Sequence, residues 1–398
     1  MRSTNIILPD KLPEVKRLDN MCSDTFHINI ITPMMGGGVE AGEVNESNPV
    51  RISELRGILR FWWRLIHNNN NSLLESESRL WGSTKNKSRV IIDVSDISPV
   101  KFRCYMKDFE FQRYDNEAYA LFPVAPKRKY GQIVEGSGKD IAREGLNFTL
   151  RITYPREFQD EIRLTIASWI YFGGVGSRTR RGLGSLSCDN ALPSVQEVLG
   201  AASSITLWRK SFDDTDALKP LKAWSYILGI YKDYRQQRNS TGDIKHPGRS
   251  RWPEPDSIRQ ITDCSLPRHR RPVNNIIAPV QSFPRAALGL PIIFKFKNDC
   301  TRDRIQSDLE PYQTTLKPKD DPEHDKKYNR MSSPVITKAM YEGNILYSAV
   351  VILPHDDFFS HGLELAEIPD HVIDEPEYDA VSGFEDFISA EGFQRVTA

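Results

Sequence analysis

Cysteine is scarce and scattered. The 398 residues hold five, Cys22, Cys104, Cys188, Cys264 and Cys300, with no two closer than 36 positions. No CxxC pair occurs, which argues against a zinc ribbon or a disulfide framework, and a reducing, cytoplasmic setting is expected. Long apolar runs are also missing. Ala349 to Leu353 is typical of the longest, far short of the ~18 residues of a membrane span, so no membrane partner is expected. The opening MRSTNIILPDKLPEVKR has no long apolar stretch before a small-residue cleavage site, the pattern of a signal peptide. HExxH, Walker and kinase signatures are absent, and the eight histidines are dispersed. No cofactor and no metal site is expected.

Net charge is zero overall, 53 basic against 53 acidic residues, but it is unevenly placed. From Pro354 onward there are twelve acidic residues and one basic, Arg395; the preceding 353 residues therefore carry an excess of eleven positive charges. A basic body suggests a polyanionic partner. The segment from 354 to 398 reads as an acidic tail, solvated or docked on a protein neighbour through Phe384, Phe387 and Phe393.

Hydrophobic residues at 39% and aromatics at 10% suffice for real cores, and the length fits two or three domains at ~150 residues each. Phe26–Ile31 reads as a strand and Arg51–His67 as a helix, its stripe at Ile52, Leu55, Leu59, Trp62 and Ile66, stopped by Asn68–Asn71. Val90–Val94, Phe102–Tyr105 and the alternating Leu146–Tyr154 read as strands. Glu157–Phe172 reads as a helix and Leu183–Cys188 as a strand. That order is the split βαβ, ferredoxin-like (RRM-like) one within an α+β class. It places a first domain at 1–192. A second α+β domain spans 193–353, with a helix at Leu218–Gln237, a basic loop at Arg238–Arg271 and a last strand pair at Pro334–Lys338 and Ile345–Leu353.

Three constellations point to a phosphate-bearing ligand. In RISELRGILRFWWRLIH, Arg56, Arg60 and Arg64 stack on one helix face with no acid among them, beside Trp63, where an indole can stack on a base. The preceding loop carries Gly36, Gly37 and Gly38, and Arg51 opens the helix. An exposed row aimed at the groove of that loop is expected; the alternative is a solvated face with a half-buried Trp63. In GGVGSRTRRGLGSLS, five glycines and three arginines fall within twelve residues. Gly174, Gly176, Ser177, Arg178, Thr179, Arg180 and Arg181 are expected to clamp a nucleic-acid backbone through anion-binding N–H groups and forked donors. In HPGRSRWPEPDSIRQ, Arg249, Arg251, Arg259 and Trp252 sit in a loop stiffened by Pro247, Pro253 and Pro255, a single-strand signature that a surface loop packed on a neighbouring domain explains equally well. His67 and His27 are the residues an RNA-cleaving reading would need.

These strings resemble a known family. A ferredoxin-like fold with a glycine-rich, arginine-bearing loop before its last strand resembles the RAMP proteins of CRISPR systems. ELRGILRFWWR, with GGVGSRTRRGLGS, GRSRWPEPDSIR, FPRAALGLPIIF and NRMSSPVITK, narrows the resemblance to the first subunits of type III-B (Cmr) effector complexes, over about residues 26 to 353. The resemblance implies two ferredoxin-like domains of the RAMP type. It implies a non-catalytic, RNA-binding role in antiviral defence, at the end of the complex near the guide's 3′ end, with crRNA, target RNA and other Cmr subunits as partners. Thr32–Val50 contains Glu40, Glu43 and Glu46 but no aspartate, so the cleavage implied for the repeated backbone subunit does not carry over. The competing expectation is a RAMP endoribonuclease that processes guide precursor.

Overall fold

The computed structural model describes residues 20–36, 38, 42–68, 72–103, 116–129, 132–134, 138–213, 219–239, 248–273, 276–297, 308–320, 329–355, 362–373 and 378–398. Gly37 lies outside them.

Strand β1 (Met21–Ile30) turns Phe26, Ile28 and Ile30 inward and His27 outward, as period-two alternation requires. Helix α1 (Ile52–Ile66) buries Leu55, Leu59, Trp62 and Trp63. A short helix α2 (Leu73–Trp81), not expected from the sequence, follows the asparagine stop and buries Leu80 and Trp81. Then come β2 (Ile91–Ser95), α3 (Asn116–Leu121), β3 (Asn147–Pro155), α4 (Gln159–Phe172) and β4 (Leu186–Cys188). The sheet order is β2-β3-β1-β4, all antiparallel. This is the ferredoxin-like arrangement.

Helix α5 (Val195–Ala201), opened by a capping box between Ser194 and Glu197, leads to β5 (Thr206–Ser211) and α6 (Lys219–Gln236). Next are α7 (Glu254–Thr262), β6 (Ile292–Phe294), β7 (Thr314–Pro318), β8 (Val335–Glu342) and β9 (Ile345–Ile352). The chain ends with β10 (Leu363–Leu365), β11 (Ile368–Ile373), α8 (Ala380–Ala390) and β12 (Gln394–Val396). The second sheet runs β8-β9-β5-β12, again antiparallel. Its strands and helices, β5, α6, β8, β9, α8 and β12, repeat the topology of the first sheet. A third sheet, β6-β7-β10-β11, grows from the two insertions that precede β8 and follow β9.

The second sheet corrects the expected tail. Residues beyond 354 contribute a helix and the edge strand that closes the sheet on β5. Net charge concealed an amphipathic helix: Ala380, Val381, Phe384 and Ile388 recur at helical spacing and are buried. The acids sit at its ends and outer face. Asp379 caps the first turn by accepting the Val381 N–H (2.8 Å), and Glu385 accepts the Trp208 indole N–H (2.8 Å). Phe384 and Phe393 pack on this chain's own core rather than on a neighbour.

The two halves share one core. Helix α4 is buried on every side from Thr165 to Phe172, because the first sheet covers one side and Ile336, Met340 and Val351 of the second sheet join the same cluster. Phe384→Ala should cost about 3–5 kcal/mol, the usual range for an aromatic truncated in a core. Urea unfolding of the full chain followed by circular dichroism measures it, and a loss below about 1 kcal/mol would contradict the packed C-terminal helix.

Candidate nucleic-acid interface

The two glycine-bearing loops interlock through their backbones. The Ser177 N–H donates to the Met35 carbonyl (2.6 Å), the Gly184 N–H to the Pro33 carbonyl (2.9 Å) and the Ile31 N–H to the Ser185 carbonyl (2.8 Å). Thr32 Oγ1 donates to the Gly182 carbonyl (2.7 Å) and accepts the Ser185 N–H (2.8 Å). Within the second loop, the Val175 N–H reaches the Gly184 carbonyl (3.0 Å). Glu54 on α1 accepts the Gly176 N–H (2.7 Å).

This corrects the expected role of the glycines. A Cβ on Gly174 would stand 2.8 Å from the Gly184 carbonyl oxygen, and one on Gly176 would stand 2.6 Å from the Met35 oxygen. A Cβ on Gly36 would collide with the Ser177 hydroxyl, and one on Gly38 would stand 2.7 Å from the Glu43 oxygen. Missing side chains admit neighbouring protein, and the N–H groups of Val175, Gly176, Ser177, Gly184 and Ser185 are engaged inside the chain instead of forming an anion nest.

The arginines of the loop remain as a charge source. Arg178 sits at φ 59° and opens the single turn Thr179–Arg181. Its guanidinium lies over the Phe122 ring (4.7 Å). Arg180 donates to the Ser333 carbonyl. Arg181 is buried, donating to the Val335 carbonyl (3.0 Å) and the Tyr231 hydroxyl (3.1 Å). Arg235, from α6, lies over the Tyr231 ring (5.9 Å). Among the described residues none of these four cations has a carboxylate partner; their acceptors are carbonyls, hydroxyls and rings. Burial first, and Arg181 second, push Arg178 and Arg180 down to about 10, leaving both charged at neutral pH. Burial alone would raise the Tyr231 hydroxyl, but Arg181 and Arg235 beside it hold it below its ordinary value.

Between this loop and α1 lies a cleft of about 270 Å³. Gly57, Ile58 and Phe61 line the helix side, and Gly176, Thr179 and Arg180 the loop side, over buried Trp62, Phe172 and Ile336. Burial lifts the Glu54 carboxyl above the usual range, against the pull of the Gly176 N–H and of Arg51. Sequence reasoning passed over Glu54; its place three residues into a helix that follows a glycine loop was the available clue.

The α1 arginine row is not free. Helix α2 delivers buried Glu77, which accepts from Arg60 (2.6 Å) and lies 3.6 Å from Arg64. Arg56 donates to Ser88 Oγ (2.8 Å) and the Val90 carbonyl (3.2 Å). Trp63 is 1% exposed and donates to Glu161 (3.1 Å), so it offers no face to a base. Arg51 is half-buried at the N-cap of α1. The third constellation is likewise structural. Trp252 is wholly buried, Arg249 pairs with Asp256 (2.5 Å) and bonds the Arg271 carbonyl (3.0 Å), and Arg251 is half-buried beside it. His67 is not exposed: it stacks on Trp63 (4.1 Å), and its two ring nitrogens meet the Trp63 carbonyl (2.8 Å) and Glu161 (3.2 Å). His27 stands exposed on the open face of β1, 3.3 Å from Thr149 Oγ1.

Residues 27–187 match the RAMP superfamily profile. Over 259 residues the chain is 29% identical to the CRISPR system Cmr subunit Cmr1-1 of Pyrococcus furiosus, covering 61% of this chain and 70% of that protein. It is 29% identical over 178 residues to Cmr1-2 of the same organism, covering 40% and 92%. Among solved structures it is similar to Cmr1 from Pyrococcus furiosus in its apo form, with TM-score 0.48 at 18% identity over 95% of this chain and 99% of that one. It is also similar to a chain of the type III-B Cmr-beta complex bound to cognate target RNA, with TM-score 0.45 at 11% identity over 93% and 99%. The chain thus resembles Cmr1 subunits in sequence and carries a RAMP-superfamily match through its first half.

Two outcomes test this geometry. Gly184→Ala places a Cβ against the Val175 carbonyl at φ +64° and should destabilise by more than about 1 kcal/mol. Gly57→Ala meets open space within a helix and should be neutral, or stabilising by up to about 1 kcal/mol. The second outcome concerns pH. Burial opposes the His67 charge, but Glu161 and the Trp63 carbonyl raise its pKa above 6.5; His67 and Trp63 in turn hold Glu161 below 4.5 despite its burial. The raised histidine stabilises below 6.5 and loses this as pH rises through its folded value. The lowered glutamate stabilises above 4.5 and loses this as pH falls through its own. The urea-midpoint gap between wild type and His67→Gln should therefore be widest between those two values and narrow on both sides. A gap independent of pH would contradict the pair.

Proposed function

We propose that this chain is a non-catalytic, RNA-binding subunit of a type III-B Cmr ribonucleoprotein, intracellular in setting, that caps the complex near the guide's 3′ end and holds crRNA and target RNA. The single observation that carries the reading is the set of guanidiniums at Arg178, Arg180, Arg181 and Arg235, clustered without a carboxylate among the described residues. Like charges in a half-buried cluster repel, and a phosphate backbone at the cleft relieves that repulsion. The relation to Cmr1-1 and Cmr1-2 supplies the complex in which such a surface would work. Specificity would come from guide–target pairing, with the protein reading backbone and shape.

Binding without cleavage is favoured by the histidines. Both nitrogens of His67 are engaged by protein, which leaves no free base or acid for a scissile phosphate. His27 faces away from its sheet's core, its ring 3.3 Å from Thr149 Oγ1. Among the described residues no group of three His, Cys, Asp or Glu side chains is arranged to hold a metal ion, and no helix is long and apolar enough to cross a membrane.

The test is binding of labelled single-stranded RNA by the full chain over a range of salt. Arg178→Ala with Arg180→Ala should weaken binding for every sequence tried and flatten the slope of log affinity against log salt by roughly 0.7 per lost contact. Labelled guide precursor and target RNA should stay intact with magnesium or manganese. Cleavage abolished by His67→Ala would replace the binding reading with the endoribonuclease one.

A further inference from the structure

The inserted third sheet and α7 build a second basic cleft, of about 410 Å³, away from the arginine loop. Its walls are prepared by buried carboxylates. Asp256 accepts from both Arg249 (2.5 Å) and Arg259 (2.6 Å). Glu310 accepts from Arg259 (2.8 Å) and meets His269 (2.6 Å), and Glu254 pairs with Arg285 (3.1 Å). The three carboxylates are 0–5% exposed, whereas the side chains of Arg249, Arg259 and Arg285 keep 11–24% of their surface open. The negative ends of these pairs therefore point inward and the positive ends face the cleft.

Four further cations line the same cleft: Arg238, Arg268, Lys295 and Lys297. All are exposed, and none has an ion-pair partner among the described residues. Seven lysines and arginines thus line the cleft against three carboxylates at or beneath it. Apolar surface is interleaved with this charge. Ile293 lines the cleft together with Lys295 and Lys297, and it is 57% exposed. Phe296 is half-buried with the Arg259 guanidinium over its ring (5.3 Å). Cations that follow a backbone, alternating with flat apolar surface for bases, are what a single strand of nucleic acid requires. An acidic protein surface would match the charge but would leave Ile293 and Phe296 without a use.

We infer that this cleft is a second site for single-stranded RNA, binding phosphates through Arg238, Arg268, Lys295 and Lys297 with a base lying on Ile293 and Phe296. The inference rests on the reading that the chain binds RNA, and it extends the bound strand onto the inserted sheet. Two measurements on the full chain test it. In salt-dependent binding of a labelled uridine oligomer, Arg268→Ala/Lys295→Ala/Lys297→Ala should bind on the order of tenfold more weakly, with the slope flattened by roughly 2; Lys295→Arg/Lys297→Arg should bind like wild type. In wild type, RNA should shield Lys295 and Lys297 from lysine acylation read by mass spectrometry, a readout independent of whether any variant folds. If wild type binds RNA, Arg178→Ala/Arg180→Ala weakens it, and the triple variant and the acylation pattern are unchanged, this second site is overturned while the first stands. If wild type binds no RNA, the underlying reading fails and this one with it.

Discussion

Lys338 on β8 is the point on which the two halves depend. It is wholly buried, and its ammonium donates to the carbonyls of Ile170 (3.0 Å) and Gly173 (2.7 Å) at the end of α4. Those carbonyls would otherwise end a helix inside protein without donors. Burial pulls the Lys338 pKa down to about 7, while the negative end of the helix dipole favours the charged form. One residue of the second sheet thereby completes a helix of the first. The same strand and the turn before it receive Arg180 and Arg181 through the carbonyls of Ser333 and Val335. The junction is therefore held by cations on carbonyls, and among the described residues no carboxylate pairs with them.

The glycines serve that junction. Gly182 admits the Trp224 ring and the Thr337 carbonyl where a Cβ would not fit, and the Trp224 indole donates to the Arg181 carbonyl (2.6 Å). Gly173 lets α4 end against Trp62. A loop that reads as a backbone clamp is instead a tightly packed joint between two sheets. Of the loop's three arginines, Arg178 and Arg180 stay half-exposed while Arg181 is buried, so the charge the loop presents depends on the way the halves pack.

Periodicity revealed most of the first sheet. The alternation of β3 and the stripe of α1 were legible because each element has one buried face, and the strand bounds differ from expectation by one to three residues at β2, β3 and β4. The strands and helices of the second sheet were harder to read as one unit. Two insertions separate its helix α6 from β8 and β9 from α8, and the composition of the last 45 residues suggested a solvated tail. The candidate site was legible by residue type and misleading by partner. Arg60 and Arg64 show no acid at helical spacing because Glu77 arrives from another helix, and Trp63 and Trp252 look accessible in sequence but fill cores. Long-range pairing of this kind leaves no local trace.

The most direct test of the central claim, that RNA lies across the junction of the two halves, is a map of RNA–protein crosslinks on the full chain inside its purified assembly. The crosslinked positions should fall at Arg178 and at the residues that line the junction cleft, Gly176, Thr179 and Arg180 of the loop and Gly57, Ile58 and Phe61 of α1. Crosslinks confined to the Arg60–Arg64 face over α2, with none at the junction, would contradict it.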